Sequence, residues 1–144
     1  MAADIRYRRI VNELFALARE LGRADDPLVR QQLADLEIRN RLAGFNGMRV
    51  LSQVLRDGEP GPASSISRLA HAQFEKKLHE VAVDLLGPAA LLAPRDPHSV
   101  QRGRWVWGFL KTRASTIGAG TSEIQRNTIG ERVLGLPYEP AAFR

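Results

Sequence analysis

Residues 115–127 read Ser-Thr-Ile-Gly-Ala-Gly-Thr-Ser-Glu-Ile-Gln-Arg-Asn, a run of small residues that delivers the chain into a helix. Gly118, Ala119 and Gly120 let a backbone approach something flat or anionic with almost no side chain in the way. Thr121 and Ser122 then supply hydroxyls at the helix start. Ser122 and Gln125 have the spacing of a capping box, which would order the first-turn N–H groups and point them outward. Such a helix start favours negative charge, phosphate included. On residue types alone, the same pattern more often serves as an ordinary loop and cap.

The other chemistry-bearing residues form no constellation. His71, His79 and His98 are candidates by type only: His71 and His79 stand eight apart, too far for the i, i+4 pairing a metal needs. Glu75 and His79 are four apart rather than the three of a two-metal bundle, so no metal site is expected. Glu75, Lys76, Lys77 and Glu80 have the spacing of a solvated helix face with i, i+4 pairs. There is no Gly-rich phosphate motif of the Rossmann or P-loop kind, and no Ser-His-Asp or Cys-His grouping.

The elements that must position the segment are helical from end to end. Tyr7, Ile10, Leu14, Leu17 and Leu21 recur at helical spacing, with Gly22 as a stop. Pro27 after Asp26 opens a second helix that runs to about Arg56. Its seam of Val29, Leu33, Leu36, Asn40, Ala43, Gly47, Val50 and Val54 alternates four and three, the pattern of shallow-angle packing along most of a helix. Asn40 would then be a buried polar group in need of a partner. Ser64 or Ser65 should cap a third helix with Ile66, Ala70, Phe74, Leu78, Val81 and Leu85 on one face, and Gly87-Pro88 should end it. Residues 89–100 hold two prolines, Pro94 and Pro97, directly after Pro88, and read as a loop. A fourth helix should begin near Ser99 or Gln101 and stop near Ser115, with one of Trp105 and Trp107 in the core and the other exposed or in a subunit contact. A fifth should span residues 122–134, closed by Gly135 and Pro137. The fold class expected is all-α: an up-and-down four-helix bundle with an additional C-terminal helix.

Composition narrows the class further. One domain suits 144 residues. The absence of cysteine excludes a disulfide framework and thiolate metal sites, and fits a cytoplasmic location. No stretch of 18 apolar residues exists, so no membrane span is expected. A net charge of +5 and a pI near 10.4 suit the phosphates of coenzyme A or a dinucleotide. A basic nucleic-acid-binding protein is the alternative from another class. The arginines are scattered along helix faces without interleaved aromatics, so nucleic acid is not expected as a partner.

As a literal string, the segment through Gly-Thr-Ser-Glu-Ile-Gln and on to Glu131-Arg132-Val133-Leu134-Gly135-Leu136-Pro137 resembles the C-terminal signature of the acyl-CoA dehydrogenase flavoproteins. The match is strongest over residues 114–137 and extends more weakly through the helix order of the whole chain. The resemblance implies that residues 1–144 are the family's C-terminal helical bundle without its N-terminal helical and middle β-domains. The chain would be a fragment or a subunit completed by another chain. It further implies FAD as cofactor, an acyl-CoA substrate in the full assembly, and a homo- or hetero-oligomer. The family's reaction takes a proton from the α-carbon and a hydride from the β-carbon of the thioester.

Carried over by position, the resemblance makes Gly120, Thr121, Ser122 and Glu123 neighbours of the flavin, with Gln125 close by. In many members the proton-abstracting glutamate stands directly before that glycine; here the place holds Ala119, whose methyl group accepts no proton. Another branch carries its glutamate earlier, at a place that by spacing falls upstream of Met1. No catalytic base is therefore assigned, and the isolated chain is expected to be inactive. Arg19 stands one residue from the place of a flavin-contacting arginine. Asp84 replaces a glutamine that contacts FAD across the dimer, and Pro88 replaces a glycine of the turn that follows. Asp84 would bring negative charge near a pyrophosphate or adenine, and Pro88 removes a backbone donor.

Overall fold

A helix stop at Gly22 and a cap at Asp26 divide the first two helices as the sequence predicts. Gly22 takes φ +65, the Arg23 N–H reaches back to the Ala18 carbonyl at 2.8 Å and the Gly22 N–H to the Arg19 carbonyl at 3.0 Å, closing a Schellman turn. The Asp26 carboxylate then accepts from the Leu28 N–H at 2.9 Å, and Pro27 occupies the first helical position. The computed structural model describes residues 2–62, 64–93, 95–118 and 120–138, with side chains from Arg6 onward. It contains α1 (Ala2–Glu20), α2 (Pro27–Asp57), α3 (Ser64–Leu86), α4 (Arg104–Ser115) and α5 (Ser122–Arg132), and no strand among the described residues.

Helices α1 to α4 run up, down, up and down. Arg23, after α1, donates to the Asp84 carbonyl near the end of α3 at 3.2 Å. Asn46 of α2 donates to Ser67 at the start of α3 at 2.6 Å, and Ser115 at the end of α4 meets Glu75 of α3. Helix α3 is the hub: α1, α2, α4 and α5 all pack on it. The core is built from Val11, Leu14 and Leu17 of α1, Leu36 of α2, Phe74, Leu78 and Val81 of α3, and Trp105 of α4. Burial of such aliphatic and aromatic side chains is the main force that holds the bundle together.

The α2 seam is buried through Val29, Leu33, Leu36 and Asn40 and half-buried beyond. Asn40 is 2 % exposed, and no buried side-chain nitrogen or oxygen among the described residues lacks a hydrogen-bond partner.

Several expectations are corrected. Leu21 is 38 % exposed because it lies past the last helical residue, where the turn redirects the chain; Val11 and Ala18 are buried in α1 instead. Ala70 is exposed while Ala72, Ala82 and Leu86 are buried, because α3 packs on helices around much of its circumference and its buried positions do not follow one stripe. Ser64 is already helical, and its hydroxyl donates to the Gly61 carbonyl at 2.8 Å. The proline-rich stretch is not all loop: 3₁₀ turns occupy Gly87–Leu91 and Val100–Gly103. Helix α4 begins only at Arg104, because Gln101, Arg102 and Gly103 adopt φ of 49°, 59° and 73°. The Trp105 indole N–H donates to the Gln101 side-chain oxygen at 3.0 Å across this left-handed stretch. Trp105 is 1 % exposed and Trp107 54 %, the expected division of one inside and one outside. Helix α5 stops at Arg132, two residues short of the expected end.

Candidate functional site

Helix α4 ends in a tight turn. The N–H groups of Ile117 and Gly118 both reach the Ala114 carbonyl, at 3.1 and 2.9 Å, and the Thr116 hydroxyl donates to the Arg113 carbonyl at 3.0 Å. Ala119 lies outside the described residues. Gly120 has φ +95, a backbone conformation that favours glycine; a Cβ there would stand 2.8 Å from Nε2 of Gln125, the flexible end of a side chain that can give way. Thr121 is extended (φ −63, ψ 166); its hydroxyl oxygen accepts from the Ile124 N–H at 3.4 Å and its carbonyl from the Gln125 N–H at 3.0 Å. The cap is therefore Thr121. The Ser122–Gln125 capping box does not form, because Thr121 holds the cap position and Ser122 is already the first helical residue.

Glu123 is exposed in the first turn of α5. Hydrogen bonds from its own backbone N–H and from the Thr121 hydroxyl, helped by Arg126, hold its carboxyl below the usual range despite a small opposing effect of desolvation. A carboxylate thus already answers the positive end of this helix. That disfavours a phosphate as neighbour. Gly120, Thr121, Ser122 and Gln125 are half-buried. Behind them, a crevice of about 150 Å³ against Arg68 and Ser115 is too narrow for a water molecule. The segment is packed at its back and open at its front.

Packing at the back comes from α3. Arg68 donates through one guanidinium nitrogen to the Ser115 carbonyl at 3.1 Å and to the Gly118 carbonyl. Glu75 accepts from the Ser115 hydroxyl at 2.8 Å and from the Tyr7 hydroxyl, with Arg6 at 3.8 Å. Its side chain is 18 % exposed, so the expectation of a solvated face fails at this residue: α1 and the end of α4 close over it. Burial pushes the Glu75 carboxyl up, but the two hydroxyl donors and Arg6 outweigh it and leave it below its ordinary value. The Tyr7 hydroxyl is pushed well above its ordinary value, first by burial and then by the carboxylate it serves. Glu80 does pair on the helix surface, with Lys76 at 4.0 Å and Arg113 at 3.3 Å.

Arg19 and Asp84 are exposed at the other end of the bundle. Sixteen residues of α3 separate Arg68 from Asp84, about 24 Å at the helical rise. The structure thus gathers Gly120, Thr121, Ser122, Glu123 and Gln125 and leaves Arg19 and Asp84 apart from them. The histidines are dispersed as well. His71 stacks on Tyr7 at 5.6 Å between ring centroids, and His98 is exposed. His79 is half-buried, its Nδ1 2.9 Å from the Glu75 carbonyl and its ring so close to Gly108 that a Cβ there would collide with it. Burial lowers its pKa below the ordinary value. No group of three or more metal-binding side chains occurs among the described residues.

The sequence does not single out Arg68, and it reads Tyr7 and Ser115 only as a core-face residue and a helix end. Only the seven-residue spacing of Arg68 and Glu75, which puts both on one helix face, hinted that they act together. Nothing in the sequence showed which helix faces them.

Comparison with known proteins gives this arrangement a family. The family model described as acyl-CoA dehydrogenase, C-terminal domain, matches residues 1–134. The chain belongs to the acyl-CoA dehydrogenase family. Its relatives include acyl-CoA dehydrogenase IpdE1 of Mycolicibacterium smegmatis, 37 % identical over 139 residues that make up 96 % of this chain and 33 % of the relative. The IpdE1 of Mycobacterium tuberculosis is 36 % identical over 96 % of this chain and 34 % of its own length. The chain therefore spans about a third of the length of these curated relatives. Among solved structures, the Tcur3481-Tcur3483 steroid ACAD superposes with a TM-score of 0.83 at 22 % identity, over 93 % of this chain and 35 % of that one. The ChsE4-ChsE5 complex from Mycobacterium tuberculosis gives 0.72 at 23 % identity, over 88 % and 36 %. These two likenesses establish the acyl-CoA dehydrogenase C-terminal fold. The family's members are oxidoreductases and generally flavoproteins that use FAD. No helix among the described residues of this family member is long and apolar enough to cross a membrane.

Proposed function

We propose that this chain forms the C-terminal helical bundle of an FAD-dependent assembly that oxidises acyl-CoA thioesters between the α- and β-carbons, and that it contributes no base to that reaction. The observation that carries the reading is the start of α5, packed at its back on α3 and open at its front, with a glycine at φ +95 where a residue with a Cβ would be strained. The hydroxyls of Thr121 and Ser122 and the amide of Gln125 fit the hydrogen-bonding edge of a flavin ring. Glu123, beside them, makes the same place unsuited to a pyrophosphate. The flavin, when bound, supplies the hydride acceptor. The chain's own residues orient its ring, and Ala119, at the family's base position, leaves proton abstraction to a residue outside this segment.

A narrower reading, a non-catalytic partner subunit within a heteromeric enzyme, is favoured by Ala119, Asp84 and Pro88 together. The ChsE4-ChsE5 complex has a fold of this kind in an assembly of two named proteins. The outer face of α2 also exposes Ile38, Leu42, Phe45, Met48 and Leu55, an apolar surface that suits a subunit contact. In that arrangement Arg19 and Asp84 would face a different cofactor from the one at residues 120–125, across a subunit boundary.

The test is to purify the chain alone and together with a full-length acyl-CoA dehydrogenase, and to record flavin absorbance and acyl-CoA turnover. Flavin retained only in the assembly, with no turnover by the chain alone in added FAD, is the expected result. Turnover of any acyl-CoA by this polypeptide by itself would refute it.

A further inference from the structure

Among the described residues, the turn between α4 and α5 is held from within by the Ile117 and Gly118 N–H groups on the Ala114 carbonyl and by the Thr116 hydroxyl on the Arg113 carbonyl. The carbonyls in the last turn of α4 lack helical partners and form the negative end of that helix. One side chain from another helix answers them. Arg68 bridges the Ser115 and Gly118 carbonyls through a single nitrogen, spanning the turn from its first residue to its last before Ala119. Seven residues on, two helical turns along the same face, Glu75 takes the Ser115 hydroxyl at 2.8 Å. Ser115 is thus held at its backbone by a cation and at its side chain by an anion, both projecting from α3. The second oxygen of Glu75 is fixed in turn by Tyr7 of α1. Of the four residues only Tyr7 packs against the apolar core.

We propose that Arg68 and Glu75 are positioning residues, a two-point clamp that sets the α4–α5 turn in one conformation before cofactor arrives. Their functional role rests on the reading of residues 120–125 as flavin-facing. Arginine suits the first point, since the two in-plane N–H groups of one charged guanidinium nitrogen answer two carbonyls at once, whereas a lysine ammonium makes a more mobile point contact. Ordering the turn in advance removes that entropy cost from the binding step and holds the Thr121 and Ser122 hydroxyls at a fixed height above α3.

The experiment compares the full chain with Arg68→Met, Arg68→Lys and Glu75→Gln. Amide hydrogen exchange of Ile117 and Gly118 is followed, with α2 amides as an internal control. Loss of a charge-assisted bond should speed turn exchange in Arg68→Met roughly ten- to a hundredfold, and Arg68→Lys should fall between it and the parent. The α2 amides should be unchanged. In the assembly with a flavin-loaded partner, the same variants should weaken FAD retention and shift the flavin absorption band in the same order, with partial rescue by lysine. Unchanged turn exchange in Arg68→Met would overturn the clamp whatever the flavin does. Faster exchange with flavin affinity and spectrum unaltered would overturn the positioning role. An assembly of the parent chain that never binds FAD would instead sink the flavin reading, while the exchange data still judge the clamp.

Discussion

Truncating each tryptophan of α4 in turn should separate core from surface on one helix. Trp105 is 1 % exposed, packs against His79 at 6.2 Å between rings, carries the Arg104 guanidinium over its face at 4.5 Å, and donates to Gln101 at 3.0 Å. Trp105→Ala should cost about 3–5 kcal/mol, the range for buried aromatic truncations. Trp105→Phe loses part of the packing and the bond to Gln101, whose exposed oxygen then takes water, and should cost about 1–2 kcal/mol. The hydrogen bond matters because Gln101 and Arg102 occupy left-handed backbone, worth roughly 1–2 kcal/mol of strain each, which something must hold in place. Trp107, half exposed with Lys111 over its ring at 4.8 Å, should lose less than about 1 kcal/mol on truncation. Against a total stability of about 5–15 kcal/mol, urea midpoints should fall by about 2 M, about 0.5–1 M and almost nothing, at constant slope. A Trp105→Phe midpoint equal to that of Trp107→Ala would refute the role assigned to the indole N–H. Equal costs for the two alanine variants would refute the packing itself.

Gly120→Ala should strain the start of α5 by about 1–2 kcal/mol, since φ +95 is unfavourable for any residue with a Cβ. Because α5 buries no residue fully, the loss should appear as faster exchange of the Gln125 amide and not as a shifted global midpoint. His79 has a folded-state pKa below its ordinary 6.5, so the unfolded chain takes up its proton first. The stability tied to neutral His79 is complete above that value and is lost as pH falls below it. Glu75, depressed below 4.5, adds a second loss only in stronger acid, and His79→Gln should abolish the first phase of a urea-midpoint titration while leaving the second. Sedimentation at micromolar concentration should show the chain associated, with itself or with a partner, through surfaces such as the apolar face of α2; a monomer would count against that.

Local signals carried most of the fold. Gly22 and Gly58 end helices and Asp26-Pro27 begins one because each acts within a few residues of itself, on backbone geometry and unpaired N–H groups that need no distant partner. The α2 seam from Val29 to Asn40 was legible for the same reason: helical periodicity follows from the chain alone. Cues failed where two local solutions competed. Thr121 and Ser122 both make acceptable caps, and the left-handed residues 101–103, tied by a side-chain bond to Trp105, moved the start of α4.

By itself the sequence determined five helices, their order, the all-α class and, through the Gly-Thr-Ser string and its matching family model, membership in the acyl-CoA dehydrogenases. Only the tertiary structure decided that Glu75 is a half-buried acceptor, that Arg68 spans the turn before Gly120, and that Arg19 and Asp84 lie far from it. Which helix faces which, and at what height, depends on burial summed over every interface at once. A carboxylate two turns from an arginine therefore reads the same in sequence whether water or a neighbouring helix covers it.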